Sequence, residues 1–124
     1  MCVVEFPVLN HGGETGGGGS SEVVTTTSGD VIIQHKWTQP RFIKSVTVSF
    51  SGKDYRVTLY RYGNREDRLP IQSKVSDNKV CHFFFPNGLF MGRGLEVLCH
   101  EVESGEKITL NFEGVSVRTG RLYL

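Results

Sequence analysis

Two Cys-His dipeptides are the residues in this chain whose types could bind a metal. Cys81 precedes His82 and Cys99 precedes His100, and thiolate and imidazole groups are common zinc ligands. Both dipeptides lie in segments with the alternating pattern of β-strands, where neighbouring side chains point to opposite faces. Each Cys therefore diverges from its own His, and neither dipeptide has a CxxC or HxxxH spacing. We expect no metal and no cofactor, and we interpret both cysteines as small core residues.

Disulfide chemistry and nucleophilic catalysis are the other roles open to cysteine. A disulfide between Cys81 and Cys99 is geometrically possible, but the chain has three cysteines, and its first residues lack the pattern of a secretory signal. A catalytic Ser or Cys needs an adjacent base and an orienting third group, and no Gly-x-Ser-x-Gly elbow is present. The carboxylates fall mostly at turns or at positions predicted to face solvent. We therefore expect a protein that is not an enzyme.

Three aromatic residues at predicted strand ends could bind a sugar. Trp37, Tyr60 and Tyr62 have the ring types on which sugar-binding β-sandwiches stack pyranose rings. Packing in the core or at an interface accounts for the same residues equally well, because these rings combine a large apolar area with one polar group. A carbohydrate-binding module with these three residues as its platform is the alternative function.

The charge balance excludes binding through a broad basic face. The chain has 14 basic and 13 acidic side chains, a formal net charge of +1, so no nucleic acid is expected as a partner. Three arginines lie close in sequence between residues 61 and 68, but Glu66 and Asp67 among them indicate a solvated loop with ion pairs. The chain has no run of about 18 apolar residues, so no membrane span is expected.

Short β-strands are the elements that must position these residues. From residue 30 onward apolar residues recur at every second position between Gly, Asn, Asp and Pro turns. The alternation is clearest over residues 42–50, where Phe42, Val46, Val48 and Phe50 are predicted to share one face. The pattern predicts an all-β fold, an antiparallel β-sandwich or barrel of eight or nine strands.

The first residues differ in composition from the remainder. Residues 1–9 are apolar and broken by Pro7, which predicts an edge strand or an extended docking segment. Residues 10–22 are a Gly-rich linker without the Gly-Lys-Ser/Thr ending of a phosphate loop. We assign residues 1–28 to the arm and linker and residues 29–124 to the β-sandwich. The arm is predicted to dock on another surface, the alternative being a frayed terminus or an added linker.

Three blocks of sequence carry a likeness to a known group of proteins. Residues 43–50, 56–60 and 84–97 resemble small jelly-roll virion proteins of phages, and the likeness covers residues 42–112. The resemblance implies an all-β fold, a single jelly-roll-like antiparallel β-sandwich of about eight strands with an extended N-terminal arm. It further implies a structural virion protein, such as a minor capsid, penton, decoration or spike-base subunit. It also implies a homo-oligomer that contacts other virion proteins, is synthesised in the host cytoplasm and resides in the virion. N-terminal arms commonly tie such subunits to their neighbours.

Apolar segments of the arm and of one long strand are the predicted interfaces. Residues 80–85 are apolar on both faces of the predicted strand, which indicates a strand in the middle of a sandwich or one covered by a neighbouring subunit. The interface candidates are Val3, Val4, Phe6, Val8, Leu9, Phe83, Phe84, Phe85, Leu89, Phe90 and Met91.

Overall fold

Nine β-strands account for most of the residues that the structure describes. The computed structural model describes residues 2–6, 18–63 and 67–116. The strands are β1 (Cys2–Phe6), β2 (Gly19–Val24), β3 (Gly29–Lys36), β4 (Arg41–Phe50), β5 (Arg56–Tyr62), β6 (Arg68–Val75), β7 (Val80–Met91), β8 (Gly94–Val102) and β9 (Lys107–Ser116). These residues contain no helix, and so none long and apolar enough to cross a membrane. The predicted all-β class is confirmed.

The strands form two sheets with the connectivity of a jelly roll. One sheet has the order β2-β9-β4-β7 and the other the order β1-β3-β8-β5-β6. The pairs are nested: β2 pairs with β9, β3 with β8, β4 with β7 and β5 with β6, all antiparallel. Successive nested pairs alternate between the two sheets, which is the double Greek key of an eight-stranded jelly roll. The predicted jelly-roll-like sandwich is thus confirmed at the level of topology.

The first two strands differ from the sequence assignment. β1 pairs with β3 in parallel, whereas the sequence predicted an antiparallel sandwich. A parallel pair needs a long connection, and the chain between β1 and β3 provides one because it passes through β2 in the other sheet. β2 lies within residues 1–28, which were assigned to the arm, yet its six residues pair with β9. The four-stranded sheet therefore begins before residue 29.

The core lies between the inner faces of the two sheets. Every strand from β2 to β9 except β6 contributes at least one fully or nearly fully buried apolar side chain, and the partly buried Ile71 of β6 packs against the same cluster. Burial of these side chains is the main stabilising contribution, because apolar area is removed from water. Tyr55 belongs to this core, since its ring is buried against that of Phe50 with centroids 4.9 Å apart.

A β-bulge in β4 changes which residues face the core. The register of β4 shifts between Ile43 and Ser45 against both of its neighbours. Val46, Val48 and Phe50 are buried as the alternation predicts, but Phe42 points outward and Ile43 is buried. The prediction that Phe42 shares the core face was therefore wrong. A bulge adds one residue to a strand, so every side chain beyond it changes face.

Candidate assembly surfaces

The outer face of the four-stranded sheet carries a row of exposed apolar side chains. Phe42 of β4 is opposite Phe90 of β7 on one side and Val115 of β9 on the other. The rings of Phe42 and Phe90 meet edge to face, with centroids 5.4 Å apart. Phe42 is 40% exposed and Val115 47% exposed. We name these three residues the Phe42 row, and it exists because the bulge turns Phe42 outward.

Two glycines allow the neighbouring strands to lie close to Phe42. Gly88 of β7 has a φ of 79°, a conformation that residues with a Cβ rarely adopt, and it lies where β7 rejoins β4 after the bulge. Gly114 of β9 lies opposite Ile43, and a Cβ at this position would collide with the carbonyl oxygen of Phe42. Both glycines therefore support the backbone geometry that exposes the Phe42 ring.

β7 presents a second exposed apolar site at the edge of the same sheet. The side chain of Phe84 is 62% exposed, and its ring stacks on that of His82 with centroids 6.0 Å apart. Nδ1 of His82 lies 2.8 Å from Oγ1 of Thr47 on β4, a hydrogen bond that positions the imidazole on the outer face. Residues 80–85 were predicted to lie in the middle of a sandwich or under a neighbouring subunit. β7 lies at a sheet edge, so the middle position was wrong, and cover by a neighbouring subunit stays a prediction.

The predicted interface residues fall into four groups. Phe84 and Phe90 are exposed, whereas Phe85 and Leu89 are partly buried against the core. Phe83 and Met91 are fully buried, so their assignment to an interface was wrong: the alternation of β7 turns both side chains inward. For the arm, Val3, Val4 and Phe6 lie in β1, whose side chains are outside the described part of the structure, and Val8 and Leu9 lie outside the described residues.

The predicted sugar platform does not form an exposed surface. Trp37 is 4% exposed, its Nε1 donates a 2.9 Å hydrogen bond to the carbonyl of Met91, and the guanidinium of Arg41 lies over its ring. Tyr62 is also buried. Tyr60 is partly exposed, but the guanidinium of Arg68 lies 4.3 Å from its ring centroid. The platform prediction was wrong for Trp37 and Tyr62, because packing and hydrogen bonding occupy both side chains.

A buried carboxylate that the sequence did not reveal lies on the outer face of the five-stranded sheet. Glu96 of β8 is 1% exposed. Its Oε1 accepts hydrogen bonds from the hydroxyl of Tyr62 at 2.5 Å and from Nε2 of Gln34 at 3.0 Å, and its Oε2 accepts one from Arg68 at 2.7 Å. The four side chains come from β8, β5, β3 and β6. The network therefore links four adjacent strands.

The same network changes the acidity of its members. Burial, followed by the hydrogen bond to Glu96, raises the pKa of Tyr62 well above its usual value. The hydrogen bond to Glu96 also raises the pKa of Arg68, which favours the charged guanidinium. Three donors satisfy the carboxylate, and this compensates for its removal from water. The arrangement stabilises the sheet and leaves neither carboxylate oxygen without a hydrogen bond.

Glu106 is a second carboxylate that was interpreted as a rim charge and is buried. Its Oε1 accepts a 3.3 Å hydrogen bond from the hydroxyl of Tyr55, and its Oε2 accepts hydrogen bonds from the hydroxyl of Ser51 and the backbone N–H of Gly52. No sequence signal distinguishes these two glutamates from the exposed ones, because their partners come from distant segments.

The cysteines occupy the positions that strand alternation predicts. Cys81 and Cys99 are buried free thiols, while His82 and His100 lie on the opposite faces of their strands. Burial raises the pKa of Cys99 to about 12 and also raises that of Cys81, so neither thiol is a reactive nucleophile at neutral pH. Among the residues that the structure describes, no three His, Cys, Asp or Glu side chains are grouped so as to hold a metal ion.

Comparison with known proteins gives only distant structural likenesses. No family model matches the chain, and no curated protein does. The periplasmic inhibitor of g-type lysozyme from Aeromonas hydrophila is 10% identical, with 94% of this chain and 98% of that chain covered and a TM-score of 0.44. The pre-peptidase C-terminal domain of Bacillus anthracis collagenase is 4% identical, with 88% and 91% covered and a TM-score of 0.46.

One further likeness is to a structure of infectious bursal disease virus, Gx strain. The identity is 13%, 88% of this chain and 31% of that chain are covered, and the TM-score is 0.35. At such identities and TM-scores these likenesses assign no function, so the jelly-roll assignment rests on the strand order described above.

Proposed function

We propose that this chain is a structural virion protein, a minor capsid, penton, decoration or spike-base subunit that acts by assembling with copies of itself and with other virion proteins. In this role it is synthesised in the host cytoplasm, resides in the virion and performs no catalysis. The observation that carries the proposal is the Phe42 row, a line of exposed apolar side chains across three strands of a jelly roll.

The Phe42 row has the features of a contact surface. Its two rings pack on each other, so the patch is preorganised, and covering it with a partner removes apolar area from water. Exposed apolar side chains that occur singly need no explanation, but a contiguous group on one rigid face favours an interaction site. Three strands and two glycines hold this group in place. A rigid apolar surface of this kind supports the binding of a partner.

β1 supplies a second element suited to assembly. It is added to the edge of the five-stranded sheet by backbone pairing with β3, with Cys2 opposite Val31 and Phe6 opposite His35. Addition of a strand to a sheet edge is a common way for one protein segment to bind another. A segment of this kind, joined to the sandwich through a Gly-rich sequence, supports the proposal that the N-terminal arm takes part in assembly.

Mass photometry of the full chain, with and without a change in the Phe42 row, tests the proposal. We expect closed oligomers for the unchanged chain and loss of these oligomers for Phe42→Ser, with an unchanged circular-dichroism spectrum because Phe42 lies outside the core. Val75→Ser is the matched control, since Val75 is 52% exposed on β6 of the other sheet and should not affect assembly. A chain that never exceeds a dimer, or equal behaviour of the two variants, would contradict the proposal.

Mass spectrometry of purified particles tests the virion role separately from self-assembly. The chain should be a stoichiometric component of particles isolated from its natural source. Its absence from such particles, together with its presence among secreted or polysaccharide-bound proteins, would favour a different role for the same fold.

A further inference from the structure

The backbone of β7 has an open edge over two residues. Within the described part of the chain β7 pairs only with β4. The N–H of Phe50 donates a 2.8 Å hydrogen bond to the carbonyl of Lys79, which marks these two residues as a hydrogen-bonded pair. In an antiparallel ladder such pairs alternate with pairs whose backbone groups point away. The N–H and C=O groups of His82 and Phe84 therefore point away from β4.

The ends of this open edge are defined on both sides. The backbone groups of Val80 point away from β4, as those of His82 do, because the two residues are two positions apart. Both groups are already hydrogen-bonded to Asp77: the N–H of Val80 donates to its carbonyl at 3.0 Å, and the C=O of Val80 accepts from its N–H at 2.8 Å. Two positions beyond Phe84 lies Pro86, which has no N–H. Between Val80 and Pro86, His82 and Phe84 are thus the two residues that present both a donor and an acceptor at the edge.

β7 also lacks the charges that normally protect a sheet edge. Its sequence from Val80 to Met91 contains no Lys, Arg, Asp or Glu, and Phe84 is its most exposed large side chain. The strands at the other three sheet edges each contain such a residue: Glu5 in β1, Glu22 in β2, and Arg68 and Lys74 in β6. Charged side chains discourage edge-to-edge pairing, and an uncharged strand can meet its own copy without like-charge repulsion.

We propose that two copies of this chain pair through β7, antiparallel, about a two-fold axis at Phe83, and so join their four-stranded sheets into one sheet of eight strands. His82 of each copy then lies opposite Phe84 of the second copy, and the two pairs exchange four backbone hydrogen bonds. An axis at His82 would place Phe84 opposite Val80, whose groups are taken by Asp77. An axis at Phe84 would place His82 opposite Pro86, which has no donor.

The side chains on the outer face are compatible with this register. His82 and Phe84 already stack within one chain, and in the pair each ring also faces a ring of the second copy. The interface is isologous, so pairing covers both open edges and the assembly closes as a dimer. This inference goes beyond the proposed function, because it uses a surface other than the Phe42 row and holds whether or not the final assembly is a virion.

Sedimentation equilibrium of the full chain tests the pairing. The unchanged chain should reach at least twice its mass of 13.8 kDa with rising concentration, since contacts through the Phe42 row join such pairs into larger assemblies. Phe84→Lys adds an edge charge and should weaken the dimer by about tenfold or more. Val24→Lys is the control, since Val24 is 60% exposed on β2 at the opposite edge of the same sheet and should leave the dimer unchanged. A monomeric unchanged chain, or equal effects of the two variants, would overturn the proposal.

Disulfide trapping tests the register and remains informative if Phe84→Lys disturbs folding. Residues in a hydrogen-bonded antiparallel pair have Cα atoms about 5.5 Å apart, within the range that a disulfide spans. With Cys2→Ser in both chains, a mixture of His82→Cys and Phe84→Cys should form a covalent dimer that contains one copy of each. Neither variant alone should do so. Cross-linking of either variant alone, or none in the mixture, would reject an axis at Phe83.

Discussion

The hydroxyl of Tyr62 donates a 2.5 Å hydrogen bond to Oε1 of Glu96, and both side chains are buried although they lie on the outer face of their sheet. Replacement of Tyr62 by Phe removes this donor and keeps the ring. We expect the free energy of unfolding to fall by about 1–2 kcal/mol, because a buried carboxylate loses one of its partners. Urea denaturation measures the change.

Tyr60→Phe is the matched control for that measurement. Among residues 18–63 and 67–116 the hydroxyl of Tyr60 has no hydrogen-bond partner, and the Arg68 guanidinium contacts its ring, which the change retains. Its effect should stay within about 0.5 kcal/mol. Equal effects of the two variants would show that the bond between Tyr62 and Glu96 contributes nothing.

His35 should make the fold sensitive to acid. Burial, with a smaller contribution from the charge of Arg41, lowers its pKa from 6.5 to about 4. Between pH 6.5 and about 4 the unfolded chain binds a proton at this histidine that the folded chain does not. The contribution of neutral His35 to the free energy of unfolding is therefore fully present above pH 6.5 and is lost as the pH falls towards 4. The expected loss is about 2–3 kcal/mol.

Denaturation curves across this pH range for the unchanged chain and for His35→Gln test the assignment. The pH dependence of the free energy of unfolding should become shallower for His35→Gln. An unchanged slope in His35→Gln would exclude His35 as the source.

Gly114→Ala should destabilise the chain by about 2–4 kcal/mol, since the added Cβ meets the carbonyl of Phe42 and must displace backbone at the bulge. Thermal denaturation measures the loss. Gly105→Ala separates this contact from a backbone effect: Gly105 has a φ of 84° but open space around it, so it should cost about 1 kcal/mol. A larger cost at Gly105 than at Gly114 would contradict the close approach of β9 to β4.

The thiols of Cys81 and Cys99 should resist alkylation at neutral pH in the folded chain and react fully once it unfolds. Burial raises the pKa of both thiols and shields them from reagents. Mass spectrometry after iodoacetamide treatment, in a chain with Cys2→Ser, counts the modified sites. Resistance that persists in denaturant and disappears after reduction would reveal a disulfide between them, which contradicts their description as free thiols.

The alternation of the sequence was sufficient to predict an all-β sandwich or barrel and the separation of each Cys from its neighbouring His, while the resemblance to virion proteins implied the jelly-roll form. The alternation also placed Val46, Val48 and Phe50 on one buried face, as the structure confirms. Alternation with a period of two residues depends only on neighbouring residues, so it is the same whichever strands pair and in whichever register. The bulge after Ile43 does not follow from that period, because it depends on how β7 and β9 meet β4. This is why Phe42 was placed on the wrong face.

The sequence by itself determined the class of fold, the core role of the two cysteines and the presence of an apolar strand at residues 80–85. The tertiary structure decided that this strand lies at an edge, that Trp37 and Tyr62 are buried, and that Glu96 is surrounded by donors from three other strands. The physical reason is distance along the chain. Alternation arises from neighbouring residues, whereas edge position and hydrogen-bond partners arise from strands that are far apart in sequence and meet only in the folded sheet.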